Sequence, residues 1–285
     1  MKNSIMKTKL TFLTLLIFVS IVSQAQLLYK IEGKGLQKPS YIYGTIHIMP
    51  KKQFVISESI TTALKECESL VMEVDINMDL KTKIDAAQRS LLPDGKTIAN
   101  ITSVENAQKI RQFCMDSLHW KESKYTRMSR LTPFFLTSVI LQDLIGKSKS
   151  FEVELNKLAK KNKMTTLGLE TIQLQMDLVN DVPYDEQIKL LLEGLTTNNS
   201  EYNNMVDCYL KKDINKLGEL MNDAELSPEF YSNFLVKRNQ NWLPLISKLA
   251  QEKPIFIAVG AGHLPGEQGV LKLLQGSGYT VTPIN

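Results

Sequence analysis

The 285-residue chain has little of what usually announces a function. It has three cysteines, three histidines and two tryptophans. Cys67, Cys114 and Cys208 are too few and too scattered for a disulfide framework, which leaves either one bridge with a free thiol or three reduced thiols. No GxSxG, GxGxxG, P-loop or HExxH occurs, so serine hydrolase, dinucleotide, nucleotide and zincin readings lack their usual support. No stretch rich in glycine, proline or serine marks a linker, and no segment is of low complexity. The length allows one large domain or two small ones; without a linker, a single domain over residues 26–285 is the economical expectation.

Long apolar runs are also missing. The one apolar stretch, Leu10 to Val22, has 13 residues, short of the roughly 20 that a membrane span needs. Lys2, Lys7 and Lys9 precede it, and Ser23 and Ala25 follow at the −3 and −1 positions of a cut. That order predicts a secretory signal peptide over residues 1–25, hence a periplasmic or extracellular protein with no stable membrane anchor after cleavage. Cleavage removes three lysines and no acids, so the formal charge falls from +4 to +1 and nothing remaining asks for nucleic acid. The oligomeric state is not legible.

Strands are expected where short runs combine apolar, β-branched and aromatic residues: "LLYKI" from Leu27, "YIYG" from Tyr41, "SLVMEV" from Ser69, "MTTLGLE" from Met164, "PIFIAVG" from Pro254 and "GYTVTPI" from Gly278. "SLVM" and "IFIAV" are apolar at consecutive positions, as in strands covered on both faces. Between Asn77 and Lys253 the period is otherwise helical. Its last part opens with Ser227 as cap and Pro228 at the first helical position, carries Pro244 as a potential kink, and is closed by Pro254. The expected fold is α/β, in the α+β sense: a central mixed sheet with a long helical insertion.

Two segments share a frame. "YIYGTIH" leads through a helical stretch to "SLVMEV", and "FIAVGAGH" leads through another to "GYTVTPI". Each is strand, GxxH, helix, strand, which places His47 and His263 in loops at the carboxyl ends of strands, the edge where open α/β sheets bind ligands. The glycines, Gly44 and Gly260, are expected to turn the backbone or admit a ligand. Two other strands end in carboxylates, Glu73 and Glu170. A carboxylate beside a buried strand is costly unless it is paired or binds a cation. His47, His263, Glu73 and Glu170 together form an N,O donor set suited to a divalent transition metal, with a spare carboxylate as base.

Arg238 falls within an apolar stripe of Tyr231, Phe234, Leu235, Trp242, Leu245 and Leu249. It either pairs with a buried carboxylate or snorkels past the core edge. Glu152 is a weaker candidate, since Glu154 beside it marks an acidic helix start. His119, with no glycine three residues before it and in helical surroundings, is expected to be structural or at the surface.

"PSYIYGTIHI", "SLVMEVD", "LGLETIQLQ", "KRNQNW" and "AVGAGHLPGEQGVLKLLQGSGYTV" together resemble the TraB/PrgY/GumN family, which includes the Tiki metalloproteases. The resemblance runs from about Leu28 to the C-terminus. It implies a metal-dependent hydrolase acting on a peptide or protein. His47 and His263 would be the GxxH histidines, Glu73 and Glu170 the acidic positions, and Arg238 with Asn239 the "RN" of the late helix; Glu152 is a looser match, following Ser150 and Phe151. A divalent Mn, Co or Zn would bind His47, His263 and Glu73. The resemblance equally admits a non-catalytic protein that sequesters a peptide or pheromone, and a metal-independent esterase is a third possibility.

Overall fold

The computed structural model describes residues 26–197, 200–223 and 228–285. The expected signal peptide and the expected cap Ser227 lie outside the described residues. All six expected strands form, within one or two residues of their expected ends. In chain order the strands are β1 (Leu28–Gly33), β2 (Ser40–Thr45), β3 (Met49–Pro50), β4 (Ser69–Val74), β5 (Ser148–Lys149), β6 (Thr165–Glu170), β7 (Ile255–Gly260) and β8 (Tyr279–Ile284). β3 and β5 pair only with each other, and at two residues each they carry no periodicity to read.

The other six make one mixed sheet in the order β6-β4-β7-β2-β1-β8. β6, β4, β7 and β2 run parallel, and β1 is antiparallel to both β2 and β8. Consecutive buried residues in β2, β4 and β7 show that both faces of the centre are covered. Leu70, Val71 and Met72 with Ile255 to Val259 are each at most 1% exposed and form the middle of the core.

The two GxxH units interleave. The first runs from β2 through the helix Glu58–Lys65 to β4, and β7 lies between those strands; the second runs from β7 through the helix Val270–Gly276 to β8 and crosses β2 and β1. Each unit's histidine-bearing strand therefore sits inside the other's crossover, and β2 and β7 become neighbours with Thr45 opposite Gly260. Residues 216 apart in sequence emerge side by side.

The late helix departs from expectation at Leu245 and Leu249. Pro228 opens it and it ends at Glu252, before Pro254. A π-helical turn spans Ser232–Val236, and the buried row runs through Leu235, Arg238, Asn239, Trp242, Ile246 and Ala250, while Leu245 and Leu249 are half-buried at the edge of the core. The helix continues through Pro244. Cys67, Cys114 and Cys208 are free thiols. Among the described residues no helix is long and apolar enough to cross a membrane.

Candidate active site

Four adjacent parallel strands end at one edge of the sheet, and their carboxyl ends deliver, in spatial order, Glu170 from β6, Glu73 from β4, His263 after β7 and His47 after β2. The glycines of both GxxH segments serve close packing. Neither Gly44 nor Gly260 has a positive φ, which corrects the expected sharp turn. A Cβ on Gly44 would stand 2.7 Å from Leu264 Cδ1 and 3.1 Å from Ala261 Cα, so only glycine lets the second histidine loop lie against β2. The Gly260 N–H donates to Glu73 Oε1 at 2.7 Å, and a Cβ there would meet that same oxygen at 3.2 Å.

Arg238 is 3% exposed and occupies the centre. Its Nη2 donates to Glu73 Oε2 at 2.5 Å and to Glu170 Oε1 at 2.6 Å, and its Nε donates to both oxygens of Glu170 at 3.0 and 3.2 Å. Nη1 donates to the Phe234 carbonyl at 3.0 Å. The arginine therefore pairs with buried carboxylates and does not snorkel. The Phe234 and Trp242 rings lie 5.1 and 4.9 Å from the guanidinium.

Glu170 is saturated. Besides the three contacts from Arg238, its Oε2 accepts from Trp242 Nε1 at 3.0 Å and its Oε1 from Gln175 Nε2 at 2.8 Å. Gln175 also donates to Glu73 Oε2 at 3.0 Å and so bridges the two carboxylates. It reaches them because β6 passes directly into the helix Ile172–Asn180, capped by Thr171, whose hydroxyl accepts from the Leu174 N–H. Burial would raise the Glu73 carboxyl, yet His263, Arg238 and His47 hold it down to about 2, with the Gly260 N–H adding to the effect.

His263 is 4% exposed. Asn239 donates from Nδ2 to the carbonyls of Gln268 at 2.9 Å and His263 at 3.4 Å, which turns its Oδ1 toward His263 Nδ1 at 2.6 Å. The ring therefore carries its proton on Nδ1 and presents the Nε2 lone pair, 3.8 Å from Glu73 Oε1 and 3.3 Å from Arg238 Nη1. Burial pushes this ring down to about 4; the Glu73 charge opposes that shift, and Arg238 and His47 reinforce it.

His47 stands on the open side, with 67% of its side chain accessible. Its Nδ1 is 3.0 Å from Glu152 Oε1. Glu152 is itself held, by the Thr45 hydroxyl at 2.6 Å and the Ser150 hydroxyl at 2.5 Å. Surrounding protein opposes a charge on His47, but the Glu152 hydrogen bond and charge outweigh it and raise the ring to about 9. The same pair lowers Glu152 to about 2 against its burial. Glu154, its neighbour on the helix Phe151–Lys161, pairs with Lys149 and Lys157 at the surface, so the acidic helix start divides into one inward and one outward carboxylate. His119 is exposed, on a left-handed turn far from this cluster in the fold.

The donor types fit a divalent N,O-seeking ion. Each histidine has its Nδ1 occupied by an orienting acceptor, the arrangement that metal-bound imidazoles use, and His263 Nε2 and Glu73 Oε1 are spaced much as two ligands of one ion. Glu170, with every oxygen engaged, is not such a donor. Among the described residues no three His, Cys, Asp or Glu side chains are gathered into a metal-holding group, because His47 stands apart with Glu152. Gln175, Trp242, Thr45 and Ser150 are site residues that sequence reasoning passed over. Gln175 and Trp242 lie inside the quoted "LGLETIQLQ" and "KRNQNW"; for Trp242 the i, i+4 spacing from Arg238 was the available signal, and for Gln175 there was none.

The model of the TraB/PrgY/gumN family matches residues 27–283. Comparison with curated proteins and comparison with solved structures each find no match.

Proposed function

The chain belongs to the TraB/PrgY/gumN family, and from that premise we propose that it is an exported, metal-dependent hydrolase of the Tiki type that cleaves a peptide or protein. One observation carries the reading: two imidazoles leave adjacent parallel strands at the same edge, each with Nδ1 held, beside the ionised Glu73. His47, His263 and Glu73 would hold the divalent ion, of the Mn, Co or Zn kind. Such an ion supplies Lewis-acid polarisation of a carbonyl and a more acidic water.

The chain's own residues do the rest. Asn239 keeps the His263 lone pair on Nε2 by accepting the Nδ1 proton. Glu170 anchors Arg238, whose Nη2 faces Glu73 and whose Nη1 faces His263, so a fixed cation stands where negative charge would develop. Burial of that cation removes the reorganisation a solvated one would need. Glu170 is thereby the anchor of the arginine, and with Glu73 among the metal ligands the carboxylate left to act as base is Glu152.

The test is elemental analysis of purified protein, repeated on His47→Ala and His263→Ala, with peptide-library cleavage measured alongside. About one divalent ion per chain, lost in both variants together with cleavage, is the expected result. No stoichiometric ion, with variants that cleave as well as wild type, overturns it. Export is read separately: the cell-envelope or secreted fraction should contain a chain beginning at Gln26.

A second reading rests on the separation of His47 from the other donors. His47, with two-thirds of its side chain accessible and its Nδ1 held by Glu152, offers a polar contact to a peptide held without turnover. Ligand binding that survives chelation and returns the ligand intact would favour it, whereas esterase activity that persists in chelator would point to metal-free hydrolysis.

A further inference from the structure

Outside the cluster just described, one element touches both histidine loops. The helices Ser200–Leu210 and Ile214–Asp223 form a hairpin closed by a left-handed Lys212 and by Asp213, whose carboxylate accepts from the Lys216 N–H. Tyr202 and Tyr209 lie seven residues apart, two turns, and so project from one face. Both are buried, at 8% and 4% exposed.

Their hydroxyls act on backbone. Tyr209 donates to the Gly44 carbonyl at 2.9 Å and Tyr202 donates to the Ile48 carbonyl at 2.9 Å. Since Tyr209 spends its proton on Gly44, the 2.7 Å contact with Tyr43 is a donation from Tyr43 to Tyr209. The two bonds bracket Thr45, Ile46 and His47. Burial raises both tyrosine hydroxyls, so they stay protonated donors across the physiological range.

The second helix of the hairpin does the same for the other loop, by packing. A Cβ on Gly218 would stand 2.7 Å from Pro265 Cγ, and a Cβ on Gly262 would stand 3.2 Å from Met221 Cγ. Two glycines, one on each partner, let helix and loop approach closely on either side of His263.

We infer that this hairpin is a clamp that sets the position of His47 relative to His263, with Tyr202 and Tyr209 as positioning residues for the first loop and Gly218 for the second. The inference uses the two-histidine site proposed above, but its evidence is the set of contacts to the loops. Tyrosine hydroxyls at both ends of the five-residue segment from Gly44 to Ile48 are more than packing requires, because phenylalanine would fill the same space.

The experiment uses full-length protein with isotope-labelled histidine, metal-free and at fixed pH. Three histidines give three ring signals, and exposed His119 is the internal control. In Tyr202→Phe/Tyr209→Phe the His47 signals should shift and broaden while His119 stays still; in Gly218→Ala the His263 signals should move. Where wild type cleaves peptide, the double variant should lose at least about tenfold in kcat, with KM within about twofold, as misplacement of a reacting group does. Folded variants in which neither histidine signal moves overturn the clamp. If the double variant does not fold, the single Tyr209→Phe and Gly218→Ala proteins decide by the same signals. The two proposals fail separately: moved signals with an inert wild type leave the clamp and remove the hydrolase, and an active wild type with unmoved signals does the reverse.

Discussion

Arg238 is the cation on which two buried carboxylates depend. Glu73 and Glu170 both lose water on folding and are repaid chiefly by one guanidinium. Removing one partner of such a group leaves uncompensated buried charge, so Arg238→Met should destabilise the fold by about 3–5 kcal/mol. Arg238→Lys should recover part of that, since an ammonium cannot reproduce the forked contacts to Glu170. Urea midpoints of the two variants read this directly, and equal midpoints would mean that the fork is unimportant. His263 adds a pH dependence. Unfolded, its ring takes a proton below about 6.5, whereas burial holds the folded ring neutral down to about 4. Between those values protons favour the unfolded chain, so this contribution, roughly 3 kcal/mol at most, is complete above 6.5 and is lost as the pH falls toward 4. Glu73, whose folded value is about 2 against an ordinary 4.5, extends the loss to lower pH with the same sign. His47, raised to about 9, acts with the opposite sign above 6.5, so chelated wild type should weaken as the pH falls from about 6 toward 4, and His263→Asn should show a flatter profile over that window. A variant with an unchanged slope would place the acid sensitivity elsewhere.

At the scale of elements, what brings the histidines together is the pairing of β2 with β7, and that pairing depends on a missing side chain. Gly44 leaves the space that Leu264 and Ala261 fill. Gly44→Ala forces a methyl group against backbone at 3.1 Å as well as against a movable leucine, so it should cost about 1–3 kcal/mol, as overpacking of a close contact does. Because the displaced loop carries His263, the metal content proposed above should fall alongside; a variant with wild-type stability would show that the loop yields freely. The strands, the shared GxxH frame and the ends bearing carboxylates were legible because a strand buried on both faces leaves a continuous apolar run, and an acid at its end stands out. Glu152 was legible only as a weaker candidate, since Glu152 and Glu154 look alike until Thr45 and His47, about a hundred residues earlier, choose between them. In the late helix Leu245 and Leu249 pack only at the edge of the core, because Ile246 and Ala250, one position on and on the same side of the helix, are the residues turned fully inward.

The described residues form two apolar cores, and the chain's two tryptophans divide between them. The larger core surrounds the sheet and includes Trp242, the residue that bonds Glu170. The smaller is built by helices between Leu92 and Leu195 around Ile98, Ile110, Cys114, Trp120, Leu136 and Leu191. One link between them runs through the helix Ile172–Asn180, which carries Gln175 into the site, forms an ion pair from Asp177 to Arg89 and offers the Val179 carbonyl to Gln187. Another is apolar: the helix Pro133–Ile145 gives Leu136 and Ile140 to the smaller core and packs Leu141 and Ile145 against the larger, so strain in the helical core should reach the sheet mainly through these two helices. Ile110, fully buried, is a suitable probe: Ile110→Ala should cost the helical core about 2–5 kcal/mol. Placed in a Trp242→Phe background, where Trp120 alone reports, it should lower the fluorescence midpoint in urea by more than in a Trp120→Phe background, where Trp242 alone reports. Each comparison is made within its own background, which cancels the loss of the Trp242 bond to Glu170. Equal shifts would mean that the two cores unfold as one unit, and the site would then share the full stability of the helical region. Unequal shifts would place the histidine edge on the more persistent of the two cores, which suits a site whose geometry is fixed by strand pairing.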